Sequence, residues 1–372
     1  MITNTRLATR VAFLVAGVAM AAWAPLVPLA KARSGLDEAA LGVVLLCFGA
    51  GSLVAMPLAG LSSARFGSRL VTLVSVAALY TALPLLAIVD HPVALAVVLL
   101  GFGAGLGGID VAMNLQAIAV ERASGRSMMS GFHGMYSVGG IVGASGVSLA
   151  LSAGLDVTAT VVGIALVLAV AITLVSGGLL TDATRDRHAR FALPRGIVLM
   201  VGLLTCAAFL VEGAVLDWSA VFLAQVRDVD VAHAGAGYIA FSIAMTIGRF
   251  GGDRVVQRFG GRAALAAGAL TAALGIGIAA LVTSPVAAIA GFALVGFGCS
   301  NIVPVLFTTA GNQAMMPESL AVPTMTTMGY AGLLAGPALL GFIAHATSLA
   351  TAFVLLAAMM VVVAAVGRRL SH

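Results

Sequence analysis

The sequence predicts an all-α membrane protein with twelve transmembrane helices. Three observations lead to this fold class. Of the 372 residues, 61% are hydrophobic and only 9% are charged, so a water-soluble globule of this composition would lack a polar surface. The apolar residues are gathered in twelve long runs. Short polar connections separate the runs, and the arginines are concentrated in every second connection.

Each apolar run is long enough to form one helix across a bilayer, which takes ~20 mostly apolar residues. Backbone groups in lipid must bond within the segment or within a closed barrel, and unbroken apolarity excludes the alternating barrel pattern. We therefore expect helices at residues 11–30, 39–61, 70–89, 93–118, 129–153, 157–180, 196–224, 234–255, 263–282, 286–311, 322–345 and 349–367.

The cations predict the orientation, because Lys and Arg accumulate in cytoplasmic loops. With a cytoplasmic amino terminus, 16 of the 19 cations lie on the cytoplasmic side. These are Arg6, Arg10, Arg65, Arg69, Arg122, Arg126, Arg185, Arg187, Arg190, Arg195, Arg249, Arg254, Arg258, Arg262, Arg368 and Arg369. Only Lys31, Arg33 and Arg227 lie outside. The pattern predicts twelve spans with both termini cytoplasmic, in a bacterial-type inner membrane.

The first run is interpreted as a helix and not as a signal peptide, because it is long and lacks a cleavage site. Without this helix, every later loop would move to the opposite side of the membrane, and the segregation of the cations would be lost. Trp23, Pro25 and Pro28 lie near its outer end, where the prolines remove hydrogen-bond donors and loosen the helix. This end is either a gate with Trp23 at the substrate cavity or a kinked, static end.

Ionisable side chains are expensive inside hydrocarbon, so each should face protein or a water-filled path. Asp110 lies inside the fourth run, and helical spacing puts Asn114 on its face. In the fifth run, His133 shares a face with Tyr136 and Ser137. We hypothesise that Asp110 and His133 form a proton relay, with Asn114, Tyr136 and Ser137 lining the cavity. The alternative is a structural interhelical hydrogen bond.

Two further acids lie in the seventh run. Glu212 and Asp217 are five residues apart, which turns them about 140° from each other on a regular helix. A helix break at Gly213 would let both face one cavity. Both acids are candidates for proton coupling. The favoured interpretation places Glu212 at a central site, with Asp217 and Trp218 near an outer gate. The alternative places Asp217 at the membrane surface and Trp218 in the interfacial aromatic belt.

Asn301 and Pro304 in the tenth run predict a polar group and a kink in the cavity wall, although a lone Asn can equally form a packing hydrogen bond. Cys47, Cys206 and Cys299 have no disulfide or metal-site spacing. The net charge of +5 is scattered over the loops, which argues against nucleic-acid binding. The glycine-rich sequence of the fourth run is not a nucleotide-binding loop, because it lies in an apolar span and no strand precedes it. We therefore expect no cofactor, no metal and no enzymatic activity.

The chain repeats itself. Arg-Phe-Gly-x-Arg occurs at Arg65 and again at Arg258, a displacement of 193 residues. The Gly-Phe-Gly sequences at 101–103 and 296–298 recur at nearly the same offset. The sequence therefore predicts two pseudo-symmetric six-helix bundles at 1–181 and 196–372, joined by a polar cytoplasmic linker at 182–195. Repeated halves are typical of secondary transporters, which expose a central site to each side in turn.

These motifs resemble the major facilitator superfamily along essentially the whole chain. The Arg-Phe-Gly-x-Arg after the second run is similar to the superfamily's loop signature, in which an acid normally precedes the first arginine, but position 64 is Ala. The second copy keeps Asp253, four residues after Arg249 and therefore able to pair with it. The resemblance implies a cytoplasmic gate motif formed by Arg65, Gly67, Arg69, Arg249, Asp253 and Arg258.

Three stretches at 110–117, 130–137 and 212–219 resemble the YbjJ-like branch, which is similar to fucose-permease-type carriers. The residues associated with drug/proton antiporters are absent. The fourth run has Val97 where an arginine is expected, and the fifth has Ala144 where Gly-Pro is expected. This disfavours a multidrug exporter.

We expect a secondary active transporter that moves a small organic solute, polar or cationic, by alternating access and with proton coupling. The protein should act as a monomer in the bilayer. Alternatives are a multidrug or metabolite efflux antiporter, a passive facilitator and a non-transporting sensor.

Overall fold

The computed structural model describes residues 2–181, 193–230 and 233–370. Within these ranges the chain is helical and contains no strand. The helices are α1 (Ile2–Ala22 and Val27–Arg33), α2 (Glu38–Phe66), α3 (Ser68–Ile88), α4 (Pro92–Ser124), α5 (Met129–Ser152), α6 (Val157–Val175), α7 (Gly196–Val226), α8 (Ala236–Phe259), α9 (Gly261–Leu281), α10 (Pro285–Cys299 and Ile302–Asn312), α11 (Glu318–Ala346) and α12 (Leu349–Gly367).

The predicted fold class is confirmed. Across the described ranges, 11 helical stretches are long and apolar enough to cross a membrane. Helix α8 has 24 residues, but its second half carries Arg249, Asp253, Arg254 and Arg258. Charge, and not length, therefore separates α8 from the other spans.

The chain divides into two compact units. The first unit contains Met1–Gly125, Met135–Leu193 and Pro317–Thr324, and the second contains the remaining residues. Helix α5 consequently begins in the second unit and continues in the first, whereas α11 begins in the first and continues in the second. The expected bundle boundaries at 181 and 196 stay a prediction. Residues 182–192 of the predicted linker lie outside the described part of the chain.

The sequence repeat has a structural counterpart inside each unit. A Cβ on Gly103 of α4 would overlap the carbonyl oxygen of Phe48 in α2. In the second unit, a Cβ on Gly296 of α10 would overlap the carbonyl oxygen of Phe241 in α8. Because these glycines are 193 residues apart, the repeated sequence encodes the same backbone approach twice.

The two Arg-Phe-Gly turns also share a backbone conformation. Gly67 has φ 88° and ψ 152°, and Gly260 has φ 82° and ψ 156°. A side chain at positive φ is strained, so glycine fits both positions. Each glycine is the single residue between two helices, which makes the turns from α2 to α3 and from α8 to α9 equally sharp.

Two of the three cations predicted to lie on the non-cytoplasmic side have a local structural role. Arg33 donates from Nε to the Val89 carbonyl at 2.7 Å and from Nη2 to the Leu86 carbonyl at 2.8 Å. Arg227, which is 8% exposed, donates from Nη2 to the carbonyls of Ala279 and Ala280 at 2.7 and 2.8 Å. These acceptors end α3 and α9, where helix carbonyls lack partners along the helix.

Replacing Arg227 with methionine is therefore expected to destabilise the protein by about 2–3 kcal/mol, since hydrogen bonds from a charged donor are lost and carbonyls remain buried. The measurement is thermal unfolding of the purified protein, with exposed Arg10→Met as the control. Equal melting temperatures for Arg227→Met and the wild type would contradict the capping role.

Two helices, α1 and α10, are interrupted, whereas α7 is continuous at the place where a break is predicted. Helix α1 is interrupted by a 3-10 turn at Ala24–Leu26, as its prolines predict. Helix α10 is interrupted between Cys299 and Ile302, near the kink predicted from Pro304. The expected break at Gly213 is wrong, because α7 is one continuous helix of 31 residues. Gly213 instead lies against α11, where a Cβ would be 3.0 Å from Leu333 Cδ1.

Candidate functional site

The first turn of α5 is held by a carboxylate from α8. Asp253 accepts the backbone N–H of Ser130 at Oδ1 and that of Gly131 at Oδ2, both at 3.0 Å. The first N–H groups of a helix have no partner along the helix, and negative charge there is favourable. A Cβ on Gly131 would lie 2.7 Å from Asp253 Oδ2, so the small residue permits this close approach.

Asn301, at the break in α10, joins the same group. Ser130 donates its hydroxyl to Asn301 Oδ1, while Asn301 Nδ2 donates to Ser300 Oγ at 3.0 Å. A Cβ on Gly252 would overlap Asn301 Oδ1. These contacts define the Asp253 cluster, which consists of Ser130, Gly131, Gly252, Asp253 and Asn301.

The break in α10 follows from Pro304. Proline has no N–H to donate to the carbonyl four residues earlier, which belongs to Ser300. The helix ends at Cys299 and starts again at Ile302. Asn301 lies in the gap, and its side chain reaches both α5 and the neighbouring Ser300.

Beside this cluster, the second unit buries a group of opposite charges. Arg249 is 8% exposed and interacts electrostatically with Glu212 of α7 and with His133 of α5. Cys299 is within the electrostatic reach of both Glu212 and Arg249. The buried Oε1 of Glu212 receives no hydrogen bond from the described residues. The ring centroid of His133 lies 5.5 Å from that of Phe307.

The count of cytoplasmic-side cations includes Arg249, and the side on which it lies stays a prediction. The residue lies near the middle of α8 and is buried, so it adds nothing to the loop charge on which the orientation depends. The predicted Arg249–Asp253 pair stays a prediction. The Asp253 carboxylate is also used by α5, a partner that spacing along α8 could not reveal.

In the first unit, Asp110 and Asn114 are neighbours, as helical spacing predicts. Asn114 is fully buried and donates from Nδ2 to the backbone oxygen of Asp110 at 2.8 Å and to its Oδ1 at 3.2 Å. No described residue donates to Asn114 Oδ1. Asp110 therefore has an amide beside its carboxylate, and Asn114 keeps an acceptor available for another group.

The other cavity candidates are distributed over both units. Tyr136 and Ser137 are half-buried on α5, and Trp23 is buried where α1 is interrupted. Asp110 belongs to the first unit and His133 to the second, so their proposed relay stays a prediction.

The continuous α7 separates its two acids. Asp217 is exposed, whereas Glu212 is half-buried with its Oε1 covered. A regular helix turns the two residues to different faces. Trp218 is half-buried, and a Cβ on Gly341 of α11 would lie 3.3 Å from its ring. Of the two acids of α7, Glu212 is the one within electrostatic reach of Arg249.

The first turn of α11 is held differently from that of α5. In the first unit, Arg122 Nη2 pairs with Glu318 Oε2 at 2.8 Å. Gly60, the position 193 residues before Asp253, lies so close to α11 that a Cβ would overlap Pro323.

The sequence-based predictions did not include Gly60, Ser130 or Glu318. Aligning the two halves at this offset would have placed Gly60 opposite Asp253.

The remaining gate residues lie at the two sharp turns. The guanidinium of Arg65 lies 5.2 Å from the ring centroid of Phe66, and that of Arg258 lies 5.5 Å from that of Phe259. Arg258 is exposed. Arg69 donates its backbone N–H to the Leu180 carbonyl at 3.1 Å.

Comparisons with known proteins agree with this architecture. Residues 10–321 match the family model of the Major Facilitator Superfamily. An uncharacterised MFS-type transporter of Yersinia pestis is 51% identical over 99% of this chain and 96% of its own length. The chain therefore belongs to the major facilitator superfamily, and it is a multi-pass membrane protein.

Solved structures show the same fold. The E. coli fucose:proton symporter FucP aligns with a TM-score of 0.82 at 18% identity, over 99% of this chain and 98% of FucP. The proton:xylose symporter XylE aligns with a TM-score of 0.78 at 13% identity, over 98% of this chain and 94% of XylE.

Proposed function

We propose that this protein is a proton-coupled secondary transporter of a small polar organic solute, with Glu212 as its main proton carrier. The observation that carries the proposal is the Glu212 carboxylate, whose Oε1 is buried without a hydrogen bond from the described residues, within electrostatic reach of the buried Arg249 guanidinium. The names of FucP and XylE as proton symporters support the same class of mechanism.

The chemistry of the pair explains how a proton can be coupled. A carboxylate inside a membrane protein is stabilised either by an opposite charge or by protonation. In one state, Glu212 is ionised and neutralises Arg249. In the other state, Glu212 carries a proton, and the Arg249 charge is balanced by other acceptors. A solute that favours one state then changes the proton occupancy of Glu212.

Asp110 is the proposed second acid. Its carboxylate and the available Asn114 acceptor present one negative and one polar group on α4, which suit a solute with hydroxyl or amino donors. Tyr136, Ser137, Trp23 and Trp218 are further proposed contacts. Asn301 is better assigned to the Asp253 cluster, because both ends of its amide are already bonded there.

The proposed cycle is alternating access by the two sequence halves, with both termini in the cytoplasm of a bacterial-type cell and the protein acting as a monomer. His133 is the remaining proposed site of proton exchange, and the Asp110–His133 relay is the arrangement to test first in the amino-terminal half. Asp217, which is exposed, is proposed to lie at the outer gate and not to carry the coupled proton. Uptake and export use the same chemistry, since the gradients set the direction.

The first experiment is a thermal-shift screen of the purified protein against a metabolite library at two pH values. A ligand that binds the folded state raises its apparent stability. Each hit is then tested in proteoliposomes with an imposed pH gradient. We expect a polar solute to stabilise the protein in a pH-dependent way and to accumulate against its gradient. Downhill flux alone would indicate a passive facilitator, and binding without flux would indicate a sensor.

A further inference from the structure

The turn between α8 and α9 presents adjacent cationic and apolar stripes. Arg254 and Arg258 are four residues apart, and so are Val255 and Phe259, which places each pair on one helix face. Phe259 is 63% exposed and Val255 is 40% exposed. Arg262, at the start of α9, adds a third exposed cation. We call Arg254, Val255, Arg258, Phe259 and Arg262 the cationic turn.

Within the described part of the chain, no carboxylate forms an ion pair with an arginine of the cationic turn. After Asp253, the next acidic residue in the sequence is Glu318, which pairs with Arg122. Both carboxylate oxygens of Asp253 accept backbone N–H groups of α5. The position before Arg258 is Gln257, so the acid typical of the loop signature is missing here as it is at Ala64.

The matching turn between α2 and α3 is covered by the chain itself. Ser68 Oγ and the Arg69 N–H both donate to the Leu180 carbonyl, and a Cβ on Gly67 would overlap the carbonyl oxygen of Thr181. In the cationic turn, a Cβ on Gly260 would have no described atom within 4 Å. Arg65 and Phe66 are exposed as Arg258 and Phe259 are, so the two copies differ in their backbone, which is covered at Gly67 and open at Gly260.

We propose that the cationic turn binds an anionic phospholipid, with its arginines on the headgroup phosphate and Phe259 at the acyl boundary. The stripes match the two parts of such a lipid, because arginine binds phosphate through charged hydrogen bonds while an apolar ring enters the hydrocarbon. Polybasic segments next to membrane helices attract anionic lipids by about 1 kcal/mol per Lys or Arg. The inference concerns a lipid site on α8 and α9 and is independent of the transported solute.

The test measures thermal unfolding of the full-length protein in detergent during titration with dioleoylphosphatidylglycerol. The variants are Arg254→Gln/Arg258→Gln/Arg262→Gln and, as the matched control at the covered turn, Arg65→Gln/Arg69→Gln. The wild type and the control should be stabilised alike. The triple variant should bind the lipid roughly 100-fold more weakly, as about 5-fold per arginine implies. Phe259→Ser should also weaken binding, and salt should weaken it in the wild type.

Two further titrations test whether the stabilisation requires an anionic lipid. Dioleoylphosphatidylcholine and glycerol phosphate should each stabilise the wild type much less than dioleoylphosphatidylglycerol. Equal stabilisation by either compound would overturn the assignment to an anionic lipid. Undiminished lipid binding by the triple variant would overturn the location. If the triple variant does not fold, single Arg258→Gln replaces it, with an expected weakening of about 5-fold.

Discussion

Replacing Glu212 with glutamine is expected to abolish proton-driven accumulation of the solute. Glutamine keeps the size of the side chain but cannot carry a proton, and it removes the negative charge that interacts with Arg249. The accumulation ratio under a pH gradient should fall about 10- to 100-fold, the range of a typical coupling free energy. Solute exchange at equal pH should persist. The measurement is radiolabelled uptake in proteoliposomes.

Asp217→Asn is the matched control for this prediction. It neutralises an exposed acid of the same helix, five residues further along α7, and should retain the wild-type accumulation ratio. If Glu212→Gln kept its response to the pH gradient, Glu212 would not be the proton carrier. If both variants lost accumulation equally, the assignment to one acid of α7 would be wrong.

Replacing Gly252 with alanine is expected to disrupt the Asp253 cluster. The added methyl group would overlap Asn301 Oδ1, so the Ser130–Asn301 hydrogen bond must open or α8 must move away. Overpacking of this kind typically costs about 1–3 kcal/mol. We expect a lower melting temperature and slower transport, because α5 continues into the first unit from its anchored first turn.

The neighbouring glycine provides the control. A Cβ on Gly251 would meet nothing within 4 Å, and alanine there should be neutral or stabilising by about 1 kcal/mol, since alanine favours helix more than glycine does. Thermal unfolding and initial transport rates of the two variants make the comparison. Equal behaviour of Gly251→Ala and Gly252→Ala would show that the contact with Asn301 is unimportant.

The sequence predicts the fold class well because the bilayer imposes strict lengths and polarity on each helix. The repeated Arg-Phe-Gly sequence also predicts a repeated turn, and Gly67 and Gly260 have nearly identical backbone angles. The position of the kink near Pro304 follows from the missing N–H of proline.

The contacts between helices are less accessible from sequence. Spacing along α8 suggests Arg249 as a partner for Asp253, but Asp253 caps α5, which is more than 100 residues away in the sequence. The charge count likewise does not reveal that Arg249 is buried and lies within electrostatic reach of Glu212 and His133. The predicted break at Gly213 is wrong: α7 is continuous there, and the glycine packs against Leu333 of α11.

The most direct test of the central claim is a simultaneous measurement of solute and proton fluxes in proteoliposomes, using the solute identified by the screen and a pH-sensitive dye inside the vesicles. The proposed mechanism predicts that adding solute moves protons across the membrane in the wild type, and that Glu212→Gln moves solute without protons. Solute flux in the wild type with no accompanying proton movement would contradict proton coupling through Glu212.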